Sequence, residues 1–447
     1  MKRLIKNVHI LTMNDKMEVF PNGYVVMEDH LISEVGAMHR VFDDEAFDQV
    51  VDGQGGLLMP GMVNVHTHVG MIPFRSLGDD CEDRLRRLLL PLEKACMTKE
   101  LAYASAKYAM AEMLLSGVTT FLDMYYFEDE IAKACEEMKM RGILGETVME
   151  EPTCDAPKSH GGLVYAETFI QKWRGHKLIT PAIAPHAPNT NSKEALQKAR
   201  ELADRYQVPL TMHVSEMDYE MAYFRETYKM TPIEAMDAWE VWANKTIAAH
   251  CIHLTEKDQQ ILKKRGIGIA HCIGANTKSA KGVAPIRDML AMGLDVGLGT
   301  DGPSSGNTLD LFTQMKLFAN CHKNHHRSRS LFTAKEIVAL ATIGGARVLG
   351  MDQEIGSIEP GKKGDVVIVE TDSINMFPIF DPYAVLVYSA NASNVRYVFV
   401  DGKLLVANKT LTESTIKEIR KQLNEKMQKF RKEAGQRMPA FENEGEK

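Results

Sequence analysis

The sequence of 447 residues has no excess of positive charge. It contains 53 lysines and arginines against 60 aspartates and glutamates, which gives a formal net charge of -7 at pH 7. Proteins that hold a nucleic-acid backbone present a basic surface. We therefore do not expect nucleic acid as a partner.

Long apolar runs are also missing. The longest stretches, such as 117–122 and 178–184, fall far short of the roughly 20 residues needed to cross a bilayer. The first six residues include Lys2, Arg3 and Lys6, but no apolar segment of the kind found in signal peptides follows them. We expect a cytoplasmic protein that makes no contact with a membrane.

The seven cysteines contain no Cys-x-x-Cys pair, and their number is odd. Such a scatter is typical of reduced thiols and not of a disulfide framework. Cys251 and Cys272 each follow a histidine, so a role as metal ligands is open. We favour a place in the core for both.

The chain does contain a repeating pattern, in which eight short apolar or β-branched runs alternate with longer segments of helical periodicity such as 130–140, 192–206, 232–242 and 255–265. Strands that alternate with helices predict parallel βαβ units, and eight such units predict a closed (β/α)8 barrel of the α/β class. The eight runs are Met62–Val65, Val118–Leu122, Ile143–Val148, Ile179–Ala184, Pro209–His213, Thr246–His250, Ile267–His271 and Val296–Thr300.

Both ends of the chain instead show the alternation of β-strands. We expect these segments to pair into one small β-sandwich, with a hairpin turn at Asp401-Gly402. The predicted domains are a sandwich from 1–56 and 360–413, a barrel from 57–359, and a charged helix and tail from 414–447. The strand-like segments are Leu4–Thr12, Tyr24–Val35, Asp365–Val369 and Val395–Val406.

The tail has one apolar face, formed by Ile416, Ile419, Leu423 and Met427, and otherwise consists of charged and polar residues. This pattern predicts a solvated helix that packs loosely on the barrel. A second polar stretch contains His322, His325 and His326. We interpret it as a solvated loop and not as a second metal site.

Several predicted strands end in an ionisable residue, and in such barrels the catalytic groups lie at the carboxyl ends of the strands. His66-Thr67-His68 is the first such signal, because residues i and i+2 of an extended strand point to the same side and can reach one ion. Histidine nitrogen suits zinc or iron(II). The residues at the strand ends are His66, His68, Asp123, His186, His213, His250, His271 and Asp301.

His213 at the end of the fifth run could supply a third nitrogen ligand. Glu216, three residues later, could act as a general base, although a solvated loop glutamate is the ordinary alternative. His250 and Asp301 complete a set that chance would rarely place at the strand ends. Together these residues indicate a metal centre at the mouth of the barrel.

These residues resemble the motifs of the amidohydrolase superfamily, in the branch of mononuclear deaminases that includes methylthioadenosine/S-adenosylhomocysteine, cytosine and guanine deaminases and the related triazine hydrolases. The resemblance extends to the chain ends and covers essentially the whole sequence. The matching segments are 59–68, 213–216, 248–253, 298–302, 356–365 and 400–403.

The resemblance implies that His66, His68, His213 and Asp301 bind one divalent metal, with zinc as the first choice and iron as the alternative. It implies that Glu216 is the acid/base that moves protons to the ring, with Asp301 and His250 beside the attacking water. The fourth run ends without the lysine that bridges two metals in binuclear members, so we expect one metal. The cytidine deaminase fold is disfavoured, because its Pro-Cys-x-x-Cys motif is missing.

The resemblance also implies substrate contacts for Glu216 and for two further residues: His186 beside the purine and Glu93 at the ribose hydroxyls. Arg84 stands where relatives often carry a tryptophan. Glu146 stands where members that use S-adenosylhomocysteine carry an arginine for the substrate carboxylate. We expect Glu146 to face the substrate and to repel that carboxylate.

We therefore predict a hydrolase of carbon–nitrogen bonds other than peptide bonds, which releases ammonia from an adenosine-type purine nucleoside. The first alternative is hydrolysis of another leaving group on the same scaffold, as in triazine chloro- or alkylamino-hydrolases and cyclic amide hydrolases. A non-catalytic scaffold protein is the second alternative, although such proteins commonly lose metal ligands. The expected partner is a small heterocyclic substrate, and assembly of identical chains is left open.

Overall fold

A computed structural model describes residues 1–39 and 41–438 of the chain. The first part of the chain forms five strands before the barrel begins. Their alternating apolar residues, such as Ile5, Val25 and Met27, are fully buried. These strands are β1 (Lys2–Leu11), β2 (Val19–Glu28), β3 (Leu31–Ala37), β4 (Gln49–Asp52) and β5 (Leu57–Pro60).

Eight parallel strands follow and are hydrogen-bonded to one another in chain order. The segment after the eighth strand is hydrogen-bonded to the first strand. The N–H of Asp301 donates to the carbonyl oxygen of His66 at 3.0 Å, and the N–H of Thr300 donates to Asn64 Oδ1 at 3.0 Å. The predicted (β/α)8 barrel is confirmed, since each predicted run coincides with one strand. The strands are β6 (Met62–Thr67), β7 (Val118–Tyr125), β8 (Arg141–Val148), β9 (Ile179–Pro185), β10 (Leu210–Val214), β11 (Thr246–His250), β12 (Gly268–His271) and β13 (Val296–Leu298).

The barrel interior is filled by one set of alternating strand residues, including Val65, Ile143 and Ala182, which pack in a single buried cluster. The opposite set, including Leu144 and Val148 of β8, packs outward in the larger core that contains the surrounding helices. Side chains alternate between the two faces along the regular part of each strand, but the alternation breaks near strand ends such as that of β6, whose pairing with β7 is irregular between Asn64 and Thr67.

Helices surround the barrel and continue to the end of the described chain. Their termini follow ordinary capping chemistry, as at Thr255, which accepts from Asp258 N, and Gly266, which ends the same helix at φ 65°. No helix in the described part of the chain has the length and apolarity to span a membrane. The helices are α1 (Leu90–Cys96), α2 (Lys99–Leu115), α3 (Glu128–Met138), α4 (Gly162–Trp173), α5 (Lys193–Tyr206), α6 (Asp218–Tyr228), α7 (Pro232–Ala238), α8 (Glu256–Arg265), α9 (Ile273–Lys278), α10 (Ile286–Ala291), α11 (Leu311–His325), α12 (Ala334–Ala341), α13 (Ile343–Leu349), α14 (Pro382–Tyr388), α15 (Ile416–Lys426) and α16 (Gln428–Arg437).

The terminal strands β14 (Val366–Val369), β15 (Val395–Val400), β16 (Lys403–Ala407) and β17 (Thr410–Leu411) join β1 to β5 in one sheet. Its order is β17-β16-β15-β14-β5-β1-β2-β3, with β4 paired to β1. The expected union of both chain ends in one β-structure is confirmed. The turn at Asp401-Gly402 has φ values of 49° and 74°, as a type I′ hairpin requires.

Strand β5 corrects the expected boundary between the two domains. It pairs with β1 and β14 and thus lies in the terminal sheet, four residues beyond the predicted limit at 56. A buried ion pair links this sheet to the barrel. Arg141 at the start of β8 donates through Nη2 to Asp365 Oδ1 at 3.2 Å, and the two side chains are 3% and 1% exposed.

The carboxyl-terminal segment corrects a second expectation. It consists of two helices, α15 and α16, which pack on α2 and α1. The buried side chains of Ile419 and Leu423 are continued by Phe430, whose ring centroid lies 4.7 Å from that of Phe74. Because the apolar stripe continues past Met427, the segment is anchored and does not pack loosely. Residues 439–447 of the predicted tail lie outside the described residues.

The histidine-rich stretch is a helix and not the predicted solvated loop. It forms the end of α11, and His322 is fully buried with its Nε2 at 3.0 Å from Nε2 of His271. Phe318 and His322 stand one turn apart and face β12, whereas Asn324 and His325 are exposed. The polar composition of the stretch conceals this helical periodicity.

Candidate active site

Three imidazoles meet at the carboxyl ends of β6 and β10. Nε2 of His66 lies 3.1 Å from Nε2 of His213, and one ligand atom from each of His66, His68 and His213 falls within 4.8 Å of the other two. The rings of His66 and His213 are buried, and that of His68 is 12% exposed. This spacing allows all three nitrogens to bind one ion.

Hydrogen bonds fix how two of these rings are oriented. Nδ1 of His68 donates to the carbonyl oxygen of Met124 at 2.6 Å, and Nδ1 of His213 donates to that of His186 at 2.8 Å. Nδ1 is therefore the donor in both rings, and Nε2 is the atom that faces the shared point, as in metal-binding histidines. Burial and the neighbouring imidazoles lower the pKa of His66 and His213 well below the ordinary value, so both are in the neutral form that binds metals.

Asp301 supplies the carboxylate of the group. Its Oδ1 lies 3.2 Å from His68 Nε2 and 4.0 Å from His66 Nε2, and it accepts from Gly302 N at 2.6 Å. Burial alone would lower the pKa of His68, but the hydrogen bond and the charge of Asp301 raise it to about 9. Positive charge is thus stabilised at this point, and three nitrogens with one oxygen form a donor set that fits a divalent metal.

A second pair of side chains stands next to this group. His250 at the end of β11 is 1% exposed, and its Nε2 lies 3.6 Å from Glu216 Oε1. Its Nδ1 donates to Asn276 Oδ1 at 2.8 Å, which leaves Nε2 directed at the site. The ring of His250 lies 5.3 Å from that of His213, so a carboxylate and an imidazole stand beside the three candidate ligands.

The backbone is unusual at the ends of three site strands. Ser215, His250 and Asp301 have φ values of 51°, 71° and 57°. Residues other than glycine rarely adopt this left-handed conformation, and it costs about 1–3 kcal/mol per residue. At these positions it turns the chain sharply after the strand, so that neighbouring side chains converge on one point.

Glu220 supports the position of Glu216 and was not identified from the sequence. Its two carboxylate oxygens accept from the N–H groups of Ser215 and Glu216, both at 2.9 Å, and the residue is 3% exposed. Burial raises its pKa to about 7. The spacing of four residues from Glu216, on the first turn of α6, is the signal that could have revealed it.

The structure also brings His186 to the site. Its ring centroid lies 4.9 Å from that of His213, and its Nδ1 lies 3.2 Å from Thr190 Oγ1. Burial lowers its pKa to about 4, so its imidazole is neutral.

Glu93, on α1, is 6% exposed and accepts a hydrogen bond from Tyr125 Oη at 2.8 Å. Burial raises its pKa to about 7, while the hydrogen bond from Tyr125 and the charge of His68 oppose this rise. His68 is therefore close enough to influence Glu93 electrostatically. Because Tyr125 is the last residue of β7, its hydrogen bond holds Glu93 near the carboxyl ends of the strands.

Glu146 does not join the site, which corrects the expectation that it faces the substrate. Its side chain is 0% exposed and lies on the outward face of β8, with Leu144 and Val148. Its Oε2 accepts from Glu128 N at 3.4 Å, and burial together with Asp155 raises its pKa well above the ordinary value. The residue is a neutral acid between β8 and α3. The side chains of Asp123 and His271 also lie on the outward faces of their strands.

Arg84, at the position of the family tryptophan, holds the loops above the barrel together. Its guanidinium donates to Asp79 and to the carbonyl oxygen of Ser304. Asp79 also accepts from Lys278 at 2.8 Å. Arg84 is thus engaged in structural contacts close to the segment that follows Asp301.

Residues 57–405 match the model of the amidohydrolase family. The chain belongs to this family. The predicted resemblance is therefore confirmed, and the group of His66, His68 and His213 is confirmed as a place where one divalent metal fits.

Similar proteins cover nearly the full length of the chain. A 5-methylthioadenosine/S-adenosylhomocysteine deaminase from Thermodesulfovibrio yellowstonii is 35% identical over 410 residues, which is 91% of this chain and 93% of the relative. A 5'-deoxyadenosine deaminase from Methanosarcina mazei is 37% identical over 407 residues, covering 90% and 92% of the two chains.

Solved structures of the same fold support this placement. An adenosine deaminase from Xanthomonas campestris with bound zinc has a TM-score of 0.91 and 27% identity, and the match covers 96% of this chain and 98% of the other. The zinc complex of atrazine chlorohydrolase from Arthrobacter aurescens has a TM-score of 0.88, covering 95% and 100% of the two chains. At 21% identity it supports the fold alone.

Proposed function

We propose that this protein is a metal-dependent hydrolytic deaminase that releases ammonia from the purine of an adenosine-type nucleoside. It is a hydrolase of carbon–nitrogen bonds other than peptide bonds. One observation carries the proposal: Glu216 and His250 stand beside a convergent group of three imidazoles and Asp301. Relatives of 34–37% identity that bear adenosine-type deaminase names support the class of substrate.

The metal is one divalent ion per chain, and we assign zinc because three nitrogens and one oxygen suit it. His66, His68, His213 and Asp301 would hold the ion, and all of them except His68 are buried. When bound, such an ion lowers the pKa of a water molecule to about 7, so that a nucleophile is available at neutral pH.

Glu216 carries out the proton transfers of the reaction. It removes a proton from the attacking water and delivers it to a ring nitrogen, which leaves a tetrahedral carbon bearing both the new oxygen and the amino group. A further proton from the same water reaches the amino group, which then departs as ammonia and leaves a carbonyl on the ring. His250 Nε2 orients the water, since its Nδ1 is fixed by Asn276.

Two further residues contribute to substrate binding in this proposal. Glu93 accepts hydrogen bonds from the ribose hydroxyls, and His186 contacts the purine beside His213. Glu146 is buried behind the barrel wall and has no part in selection. There is therefore no basis for excluding a nucleoside that carries a carboxylate, and S-adenosylhomocysteine belongs in the substrate class.

An ammonia-release assay on zinc-loaded protein tests the proposal. The panel contains adenosine, 5'-deoxyadenosine, methylthioadenosine and S-adenosylhomocysteine, with guanine, cytosine and a chlorotriazine as comparison substrates. We expect ammonia from at least one adenosine derivative and a higher kcat/KM for it than for the comparison substrates. The His213→Ala variant, which lacks a ligand, is the matched control. Chloride release from the triazine without ammonia release from any nucleoside would contradict the proposal.

We also propose that the enzyme acts in the cytoplasm on small molecules, without nucleic acid as a partner. The net charge of -7 supports the second part, because a phosphate backbone would be repelled. Assembly of identical chains is compatible with this function, and light scattering of the purified enzyme measures it directly.

A further inference from the structure

A lysine that the sequence motifs do not include contacts the acid/base residue. Nζ of Lys281 lies 2.5 Å from Oε1 of Glu216, and the two side chains are only 15% and 18% exposed. Lys281 lies three residues after the end of α9, the helix that follows β12. Its own N–H donates to the carbonyl oxygen of Asn276 at 2.9 Å. The same Asn276 fixes His250, so the lysine is held by the framework of the site.

The contact uses only one of the two oxygens of Glu216. His250 Nε2 is 3.6 Å from Oε1, the oxygen that Lys281 also contacts. Within the described ranges 1–39 and 41–438, no hydrogen bond from the protein reaches Oε2. The backbone N–H of Glu216 is held by Glu220 at 2.9 Å, so the residue is fixed at its main chain and at one carboxylate oxygen.

We propose that Lys281 is a positioning residue for proton transfer: its ammonium holds Oε1 of Glu216, so that Oε2 faces the attacking water and the ring nitrogen. The inference rests on the proposed deaminase function. It assigns no contact between Lys281 and the substrate, and the lysine acts through Glu216.

The charge of Lys281 also affects the proton that Glu216 carries. Burial alone would raise the pKa of Glu216, but His250 and Lys281 lower it well below the ordinary value. An adjacent ammonium favours the carboxylate over the acid, so a proton taken from water is readily passed on to the ring or to the departing amine. The other titratable groups close enough to influence Glu216 are His186, His213, Cys272, Asp301, Tyr219 and Glu220.

The test compares Lys281→Met with the wild-type enzyme, with Lys281→Arg and with Lys278→Met, all loaded with zinc. Methionine keeps the apolar stem and removes the charge. We expect Lys281→Met to lower kcat by about 10-fold to 10²-fold with little change in KM, because misplacement of a catalytic group has effects of this size. The acid limb of the pH profile of kcat should move to higher pH, since the carboxylate loses its partner.

Lys281→Arg should recover most of the rate, because it restores a cation at Oε1. Lys278→Met is the matched control, since Lys278 lies three residues earlier and its ammonium contacts Asp79 and Asn307 instead of Glu216. It should keep the wild-type pH profile. A crystal structure of zinc-loaded Lys281→Met should show the Glu216 carboxylate displaced from its wild-type position, and this readout does not depend on activity.

Three results would overturn the inference. A rise in KM alone, with kcat and the pH profile unchanged, would make Lys281 a substrate-binding residue. A faster enzyme would show that the ion pair obstructs Glu216. If the wild-type enzyme released no ammonia from any substrate, the proposed function would fail, whereas an undisplaced Glu216 in the crystal structure of Lys281→Met would refute the positioning role separately.

Discussion

Replacing Glu216 by glutamine is the sharpest test of the active site. The amide has nearly the same shape as the carboxylate but cannot take up a proton. Glu216 stands next to the group of His66, His68, His213 and Asp301 and is not a member of it, so the variant should bind zinc as the wild-type enzyme does. General acid–base catalysis contributes about 10²–10⁴-fold to a rate. We therefore expect kcat to fall by at least about 10²-fold, which corresponds to about 2.7 kcal/mol or more in activation free energy.

The loss of the carboxylate has a second consequence, which the structure predicts. Nζ of Lys281 lies 2.5 Å from Glu216 Oε1, so the variant leaves a largely buried ammonium beside a neutral amide. Removal of one partner from a buried pair is more costly than removal of both. The double variant Glu216→Gln, Lys281→Met should therefore be more stable than Glu216→Gln alone, while remaining equally inactive.

The assay measures ammonia release at saturating nucleoside together with the zinc content of the same preparation. Glu226→Gln is the control, because Glu226 is an exposed glutamate on α6. It should retain wild-type kcat. If Glu216→Gln lost its zinc, Glu216 would be a ligand or a support of the ligands. If it kept more than about a tenth of the wild-type rate, another group would be the proton carrier.

Three further predictions follow from the geometry. His213→Ala should abolish zinc binding, and metal analysis should find one ion per wild-type chain; two ions bridged at the barrel mouth would refute the mononuclear site. Arg141→Met should destabilise the protein by about 3–5 kcal/mol in urea unfolding, because it leaves Asp365 buried without its partner; the exposed Arg287→Ala should cost less than about 0.5 kcal/mol. Burial gives Glu93 a pKa of about 7, so its carboxylate forms as the pH rises through that value. The KM for nucleosides should therefore fall over this pH range in the wild-type enzyme but not in Glu93→Gln.

The sequence alone determined the architecture of this protein and indicated its candidate metal group. Eight apolar runs alternate with helical segments, and that local order permits little other than parallel βαβ units. Chemistry at the carboxyl ends of the strands follows from the same architecture. His66, His68, His213 and Asp301 could be proposed as ligands before any coordinates, because they lie at strand ends and because their motifs resemble those of the family.

The first feature that only the tertiary structure decided was the face of the barrel wall on which each strand residue lies. Glu146 and His271 also lie at or near strand ends, yet both point toward the helices and not into the barrel. A shift of one residue along a strand turns a side chain to the other face, and irregular strand ends make that count unreliable from sequence. The expected repulsion of a substrate carboxylate by Glu146 fails for this reason.

Contacts between segments far apart in the chain were the second such feature. Lys281 reaches Glu216 across 65 positions in the chain, and His322 reaches His271 across 51. Neither pair carries a spacing that marks it in the sequence, because loop closure over such lengths has no periodic signature. The sequence determined which chemical groups stand at the mouth of the barrel, but the packing of loops and helices decided which of them touch and which of them are neutral.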